Sequence, residues 1–217
     1  MNEAEFISGK TEFSDFLIRN NGLDAAGFQE WIFYPGMLFE SSDKWWGDGG
    51  RRDRAHEGID ICFYRDKADQ CFRLDESTRI PVMYDGEIIK VADDYIGRSI
   101  YVSHKIYAKN RRQLYTIYSH TQPYSSVVAG RRVSAGDIIA TIENAGKKKV
   151  KMLSHLHLSM AWVPRPFACE NLSWQTMNDP RMVTLCNPLE VIFCKYSTIP
   201  FNPDFAVGAV AKDIPVK

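Results

Sequence analysis

Between residues 80 and 145 the chain reads as short strands throughout, and this limits the folds open to it. Ile80-Pro81-Val82 leads to Asp85-Gly86, a hairpin-type turn pair, and then to Glu87-Ile88-Ile89-Lys90-Val91. Ser99–His104 alternates through Ile100 and Val102, and Gln113–His120 does so through Leu114 and Ile117. Val127–Gly130 and Val133–Ala140 complete the run. Short strands at this spacing, separated by turn signals, predict a mainly β fold. We expect an antiparallel sandwich or barrel-sandwich-like core with a groove across a sheet.

A further strand follows at Ser154-His155-Leu156-His157-Leu158-Ser159-Met160-Ala161-Trp162. Polar and apolar residues alternate, so this is a strand with one face turned to a core. Residues two apart share a face and lie ~7 Å apart along the chain. His155 and His157 therefore project together, while Leu156 and Leu158 go the other way. Two readings fit such a pair: a metal ligand beside a catalytic group, or two solvent-facing histidines.

About a hundred residues earlier stands His56-Glu57-Gly58-Ile59-Asp60. On a straight strand His56 and Asp60 would lie ~13 Å apart. Two ligands of one zinc, each with a bond of ~2 Å, need donor atoms ~3–4 Å apart. If both bind one ion, the chain bends between them, and Gly58 is the residue that permits a bend. The alternative is a surface loop with a turn or capping aspartate. Taken together, His56, Asp60 and His157 supply three ligands and leave an open position, the pattern of a catalytic zinc site.

The His-x-Gly-x-Asp segment, the later His-x-His strand and the intervening Tyr118-Ser119-His120 resemble the lysostaphin/LytM-type zinc endopeptidases. The resemblance covers roughly residues 52–162, with Asn187-Pro188-Leu189 similar to the usual exit of that domain. It implies one Zn2+ per chain held by His56, Asp60 and His157, with His120 and His155 catalytic and not ligating. His155 is the better candidate for general base, and His120 for oxyanion stabiliser or proton donor; sequence leaves these two roles exchangeable. The substrate implied is a peptide bond of bacterial peptidoglycan, and the place implied is extracytoplasmic. His104 falls at a strand end and is assigned no role. Two other activities stay open: a silent binding or regulatory protein of the same fold, and a zinc carboxypeptidase or amidase acting on small wall peptides.

With 217 residues the chain suits one domain with a sizeable core. Lys+Arg and Asp+Glu balance at 27 each, so no bulk field recruits nucleic acid or membrane. No apolar run approaches the ~20 residues of a membrane span, and residues 1–10 carry no visible signal peptide. Cys62, Cys71, Cys169, Cys186 and Cys194 include no C-x-x-C, which argues against a zinc ribbon; one or two disulfides are compatible with them.

We divide the chain into a helical and loop extension at 1–50, a β domain at 51–199 and a tail at 200–217. Within the extension, residues 11–35 look helical: Phe13, Phe16 and Leu17 give a short amphipathic stretch with a stop signal at Asn20-Asn21-Gly22, and Asp24 would cap a second helix through Phe28 and Trp31, ended by Pro35-Gly36. Asn20 and Asn21 are available there, since latent relatives use an asparagine as a zinc ligand, although nothing in their spacing shows it. Trp45 and Trp46, in a polar glycine-rich loop, fit either a wall for an extended peptide or a cap on the core. The four lysines of 144–153 are either a solvated charge run or an attraction for an anionic wall polymer. Residues 163–186 form an insertion that bears on substrate choice, and Val191-Ile192-Phe193 predicts a last strand.

Overall fold

The computed structural model describes residues 10–108, 111–147, 152–165, 171–202 and 210–211. Several sequence expectations fall wholly or partly elsewhere: residues 1–9 of the extension, most of the lysine run at 147–151, residues 166–170 of the insertion with Cys169, and nearly all of the 200–217 tail lie outside the described residues.

The chain is mainly β. Helix α1 (Phe13–Asn20) is followed by β1 (Phe28–Phe33), β2 (Ile59–Ile61), β3 (Phe63–Asp66) and β4 (Cys71–Arg73). Then come β5 (Arg79–Pro81), β6 (Gly86–Asp93), β7 (Arg98–Tyr107), β8 (Arg112–Pro123), β9 (Arg132–Val133) and β10 (Ile138–Ile142). The chain continues through β11 (Leu156–Pro164), the short helix α2 (Trp174–Met177), β12 (Thr184–Cys186), β13 (Tyr196–Thr198) and β14 (Val210–Ala211). A nine-stranded sheet runs β12-β11-β8-β7-β6-β9, with β2 beside β11, β10 beside β8, and β5 beside β10. Its pairings are antiparallel. A second, five-stranded sheet runs β13-β1-β3-β4-β14.

Strand β11 is the spine of the large sheet and is covered on both faces. Leu156, Leu158, Met160 and Trp162 enter the main core. Fully burying each leucine contributes about 1.5–3 kcal/mol. The opposite face, offset by one residue, carries His157 and Ser159 and then Ala161 and Val163. These last two join a second apolar cluster with Tyr101, Ile117, Leu172, Met177 and Val183. One strand thus separates a core from a site.

Three local expectations are corrected. The second helix is absent: Asp24 Oδ1 accepts the N–H of Ala25 in a turn, Gly27 takes φ +83°, and the chain then extends as β1. Phe28 and Trp31 do share helical spacing, but Glu30–Phe33 are all buried between β3 and β13, where strand pairing satisfies the backbone. Asp85-Gly86 closes no hairpin, because β5 pairs with β10 and not with β6. The last strand before the tail is β13, parallel to β1, and Ile192 makes only an isolated bridge to Thr11. Asn21 is a structural residue: its side chain donates to Leu17 O and Arg79 O and accepts from Arg79 N, fastening α1 to β5.

His104 is likewise structural. Its Nδ1–H donates to Asp85 O at 3.0 Å, and its Nε2 lies 2.8 Å from Thr116 Oγ1, whose hydroxyl is 3.1 Å from that of Tyr118. Tyr84 packs edge-on against the ring. Burial pushes His104 down to about 4, against the partial offset of the Asp85 and Tyr84 carbonyls and the Asp85 charge. The unfolded chain takes up this proton near pH 6.5 and the folded chain only near 4. The contribution is therefore full above pH 6.5 and is lost as pH falls toward 4, a span worth roughly 3 kcal/mol by linkage. His104→Gln should flatten the fall of unfolding free energy between pH 6.5 and 4, measured by denaturant titration of parent and variant side by side. An unchanged pH dependence would show that another group carries it.

Candidate active site

The register of β2 on β11 places His157 directly opposite Asp60. Asp60 Oδ1 lies 2.8 Å from His157 Nδ1 and 3.1 Å from His56 Nε2, and the two imidazole nitrogens are 3.1 Å apart. His56, Asp60 and His157 are 1%, 2% and 6% exposed, so water does little to solvate the three donors.

Each ring is held by its other nitrogen. His56 Nδ1–H donates to Leu38 O at 3.0 Å, which turns Nε2 inward. His157 Nε2 lies 2.9 Å from Ser159 Oγ; with the proton on Nε2, Nδ1 presents its lone pair to the cluster. In those tautomers three lone-pair donors converge with no proton among them, an arrangement that a bound cation satisfies. The donor set and the separations fit a zinc ion with one position open.

The bend between His56 and Asp60 lies at Glu57-Gly58, and the reason for glycine differs from the expectation. Gly58 has no positive φ. It sits against β11 so closely that a Cβ would lie 2.2 Å from Leu158 O and 2.7 Å from Ser159 Oγ. Close approach, not backbone handedness, excludes a side chain there.

His155 lies just before β11, on the face of His157. Its Nδ1–H donates to Leu153 O at 2.7 Å, and its Nε2 is 3.6 Å from Asp60 Oδ1. Burial pushes it down to about 3 despite the attraction of Asp60, so the ring is neutral at pH 7. Burial also lowers His157, more than Asp60 raises it. For Asp60 itself burial acts upward; with protons on the ring nitrogens that face it, the charges of His56 and His155 and the hydrogen bonds of His157 and His56 outweigh burial and hold the carboxyl well below its usual range.

His120 joins from β8, its ring centre 4.9 Å from that of His155 and 5.7 Å from that of His157. It sits at φ +61°, in the left-handed region. A non-glycine residue there costs of order 1–3 kcal/mol. Asp94, in the β6–β7 loop, holds it twice: Oδ2 accepts the His120 backbone N–H at 2.9 Å, and Oδ1 lies 3.1 Å from Nδ1. Asp94 also accepts from the N–H groups of Ile96 and Gly97 and from Ser99 Oγ. Burial would raise its pKa, but the hydrogen bonds and charge of His120 and the Gly97 N–H hold it far below the usual carboxylate range.

The five expected site residues are therefore together, while Trp45 points into the core and not into a groove. Trp45 is 1% exposed, and its indole N–H donates to Asp60 Oδ2 at 2.6 Å. Trp46 is half-buried beneath the Arg52 guanidinium, 4.4 Å from its ring centre. Reasoning from sequence missed Asp94, Arg52 and Trp174. Trp174, from the 163–186 insertion, stands edge-on to His157 with ring centres 5.3 Å apart. Asn178 Nδ2 donates to Glu57 Oε1 at 2.8 Å, so the insertion also touches the bend. Beside it a pocket of about 320 Å3 is lined by Phe39, Glu40, His56, Met177, Asn178 and Leu185, among others.

A mainly β domain bearing a buried His-Asp-His donor set, with two more imidazoles alongside, defines a candidate metallohydrolase centre. The chain belongs to Peptidase family M23, whose profile matches residues 54–168 and so spans His56 to His157. Peptidases of this family are zinc-dependent. No curated protein matches the chain. Among solved structures it is similar to a putative glycyl-glycine endopeptidase LytM from Ruminococcus gnavus, at 17% identity and a TM-score of 0.41, over 68% of this chain and 51% of that one. It is similar to lysostaphin at 18% identity and a TM-score of 0.37, over 68% and 53%. The catalytic domain of the prophage-encoded M23 protein EnpA from Enterococcus faecalis gives 20% identity and a TM-score of 0.37, over 64% and 80%. The chain spans about half the length of the first two.

The close packing at Gly58 gives a direct test. Gly58→Ala should weaken zinc binding, because the added methyl displaces Leu158 or Ser159 and with them His157. Zinc affinity by competition titration and unfolding of the metal-free protein would be measured together. An alanine variant that binds zinc as tightly as the parent would contradict this account of the site.

Proposed function

We propose that the chain is a zinc-dependent endopeptidase that hydrolyses peptide bonds in peptidoglycan stem peptides or cross-bridges, outside the cytoplasm. The observation that carries this reading is the convergence of His56 Nε2, Asp60 Oδ1 and His157 Nδ1 within 3.1 Å, beside two further imidazoles. Family membership supports it. Among the described residues no helix is long and apolar enough to cross a membrane.

When bound, zinc supplies a Lewis acid that polarises the scissile carbonyl and lowers the pKa of a bound water to ~7. The chain's own groups do the rest. His155, neutral and with its Nδ1–H engaged by Leu153 O, offers Nε2 to the attacking water and is the candidate base. His120, oriented through Nδ1 by Asp94, has Nε2 left for the developing oxyanion or the leaving amine. Asp94 acts here as a positioning residue. The catalytic unit in this reading is 51–199, with the described residues 10–50 of the extension packed on it.

A second reading draws on the insertion. Trp174 against His157, and Leu172, Met177 and Val183 over the continuation of the same β11 face, wall one end of the site. A substrate that can extend in only one direction from the metal is a chain end, which favours a carboxypeptidase or amidase acting on small wall peptides. Mass spectrometry of fragments released from purified peptidoglycan separates the two: internal cleavage products support the endopeptidase, single terminal residues the alternative.

The purified protein should carry about one zinc per chain, and a chelator should abolish fragment release. His157→Ala should lose the metal and keep its fold, since Leu156 and Leu158 supply the core contacts of the strand. His155→Ala should keep the metal and lose roughly 10²–10⁴-fold in turnover, the usual contribution of a general acid or base. A zinc-loaded parent that releases nothing from peptidoglycan or from its soluble peptides would overturn the proposed activity, and loss of metal from His155→Ala would make His155 a ligand.

A further inference from the structure

The two oxygens of Asp60 have separate partners. Oδ1 faces His56 and His157. Oδ2 faces the other way, accepting the Trp45 indole N–H at 2.6 Å, with Arg52 Nη2 at 3.5 Å. Neither partner is free to leave. Trp45 is wedged edge-on among Trp46, Phe63 and His155, with ring centres 6.2, 6.1 and 5.0 Å away. Arg52 is tied by Nη2 to Gly36 O at 2.8 Å, by Nε to Asp43 O at 3.0 Å, and by its stacking on Trp46.

Both groups can only donate: an indole has no acceptor, and a guanidinium stays protonated. A carboxylate, by contrast, can give a metal one oxygen or two. Were Asp60 to ligate through both, Oδ2 would leave a charge-assisted hydrogen bond in a buried site, where a bond of that kind is about twice as strong as a neutral one. The second oxygen would also fill the position that water or substrate must take. We propose that Trp45 and Arg52 clamp Oδ2 and so restrict Asp60 to ligation through Oδ1 alone, which keeps the metal's fourth position open. The clamp rests on the metal-site reading above. Trp45 has a second contact of consequence: the same indole abuts His155, so one side chain sets the orientation of a ligand and of the candidate base.

Cobalt(II) is the probe, because its visible absorption weakens as coordination number rises. The parent should bind one Co2+ with the intense bands of a four-coordinate ion. Trp45→Phe keeps an aromatic ring, a smaller one, and removes the donor. It should bind Co2+ ~10–100-fold more weakly, the usual cost of deleting an outer partner of a ligand, and its bands should weaken as Asp60 swings to two-oxygen ligation. X-ray absorption of the zinc forms should show the matching rise in coordination number. Arg52→Met, which leaves the core indole in place, should change the spectrum in the same direction by less; it decides the question if Trp45→Phe does not fold. A Trp45→Phe protein, folded in its metal-free form, with the parent's affinity and spectrum would overturn the clamp. A parent that takes up no Co2+ would instead overturn the metal site, and the clamp with it.

Discussion

The pairing of β2 with β11 is the constraint on which the site depends. Antiparallel register puts His157 across from Asp60, and the one-residue alternation of β11 keeps Leu156 and Leu158 in the core. A slip of one residue would exchange the two sets, placing imidazoles in the core and leucines at the site. His157 and the leucines of the hydrophobic core are thus alternate teeth of one strand. Core burial fixes the register at several kilocalories per mole, on the order of a few leucines' worth, and the site inherits that precision. Gly58 permits the contact by letting the β2 side approach the β11 backbone so closely that no Cβ would fit.

On the other side of β11 the same sheet carries a strained residue. β8 pairs with β11 up to Ser119 and with β10 from Thr121, so His120 stands where the strand changes partners. Its φ of +61° turns it out of the regular ladder and beside His155 and His157. Asp94 sustains this conformation by accepting both the backbone N–H and the ring. The carboxylate is itself fixed by two backbone N–H groups and by Ser99, whose Oγ also bonds Ser119 beside His157. Histidine, loop and ligand strand are therefore joined by one hydrogen-bonded layer.

What could be read from the sequence was what is local. Residues two apart on a strand share a face whatever the fold, so His155 and His157 were legible together. His56 and Asp60 joined them only through their order along the chain and the family likeness. Asp94 was not legible, because an aspartate in an Asp-x-x-Gly turn looks the same whether or not its second oxygen meets a histidine from another strand. Trp45 misled for a related reason: its loop is polar and glycine-rich, and the direction of the indole N–H is decided by a carboxylate fifteen residues away. β1 was misread because a strand buried on both faces loses the alternation that distinguishes it from a helix, leaving Phe28 and Trp31 to suggest the wrong period. The insertion's bearing on substrate choice was legible, but its contact with the site was not, since nothing at Trp174 announces that it will lie against His157.

The charge distribution ties these pieces together. Protons or a cation between Asp60 and the imidazoles keep the carboxyl ionised against burial, while burial drives His155 and His157 toward their neutral forms. An ionised carboxylate at 2% exposure is tolerable only if both oxygens are satisfied. The protein satisfies the outer one itself, with the indole N–H and, 3.5 Å away, a guanidinium. Around the inner one it gathers nitrogen lone pairs, which repel the anion and one another unless a proton or a cation lies among them. The outer half of Asp60 is thus completed by the fold and the inner half is left for an ion, so the electrostatic deficit and the coordination geometry point to the same place.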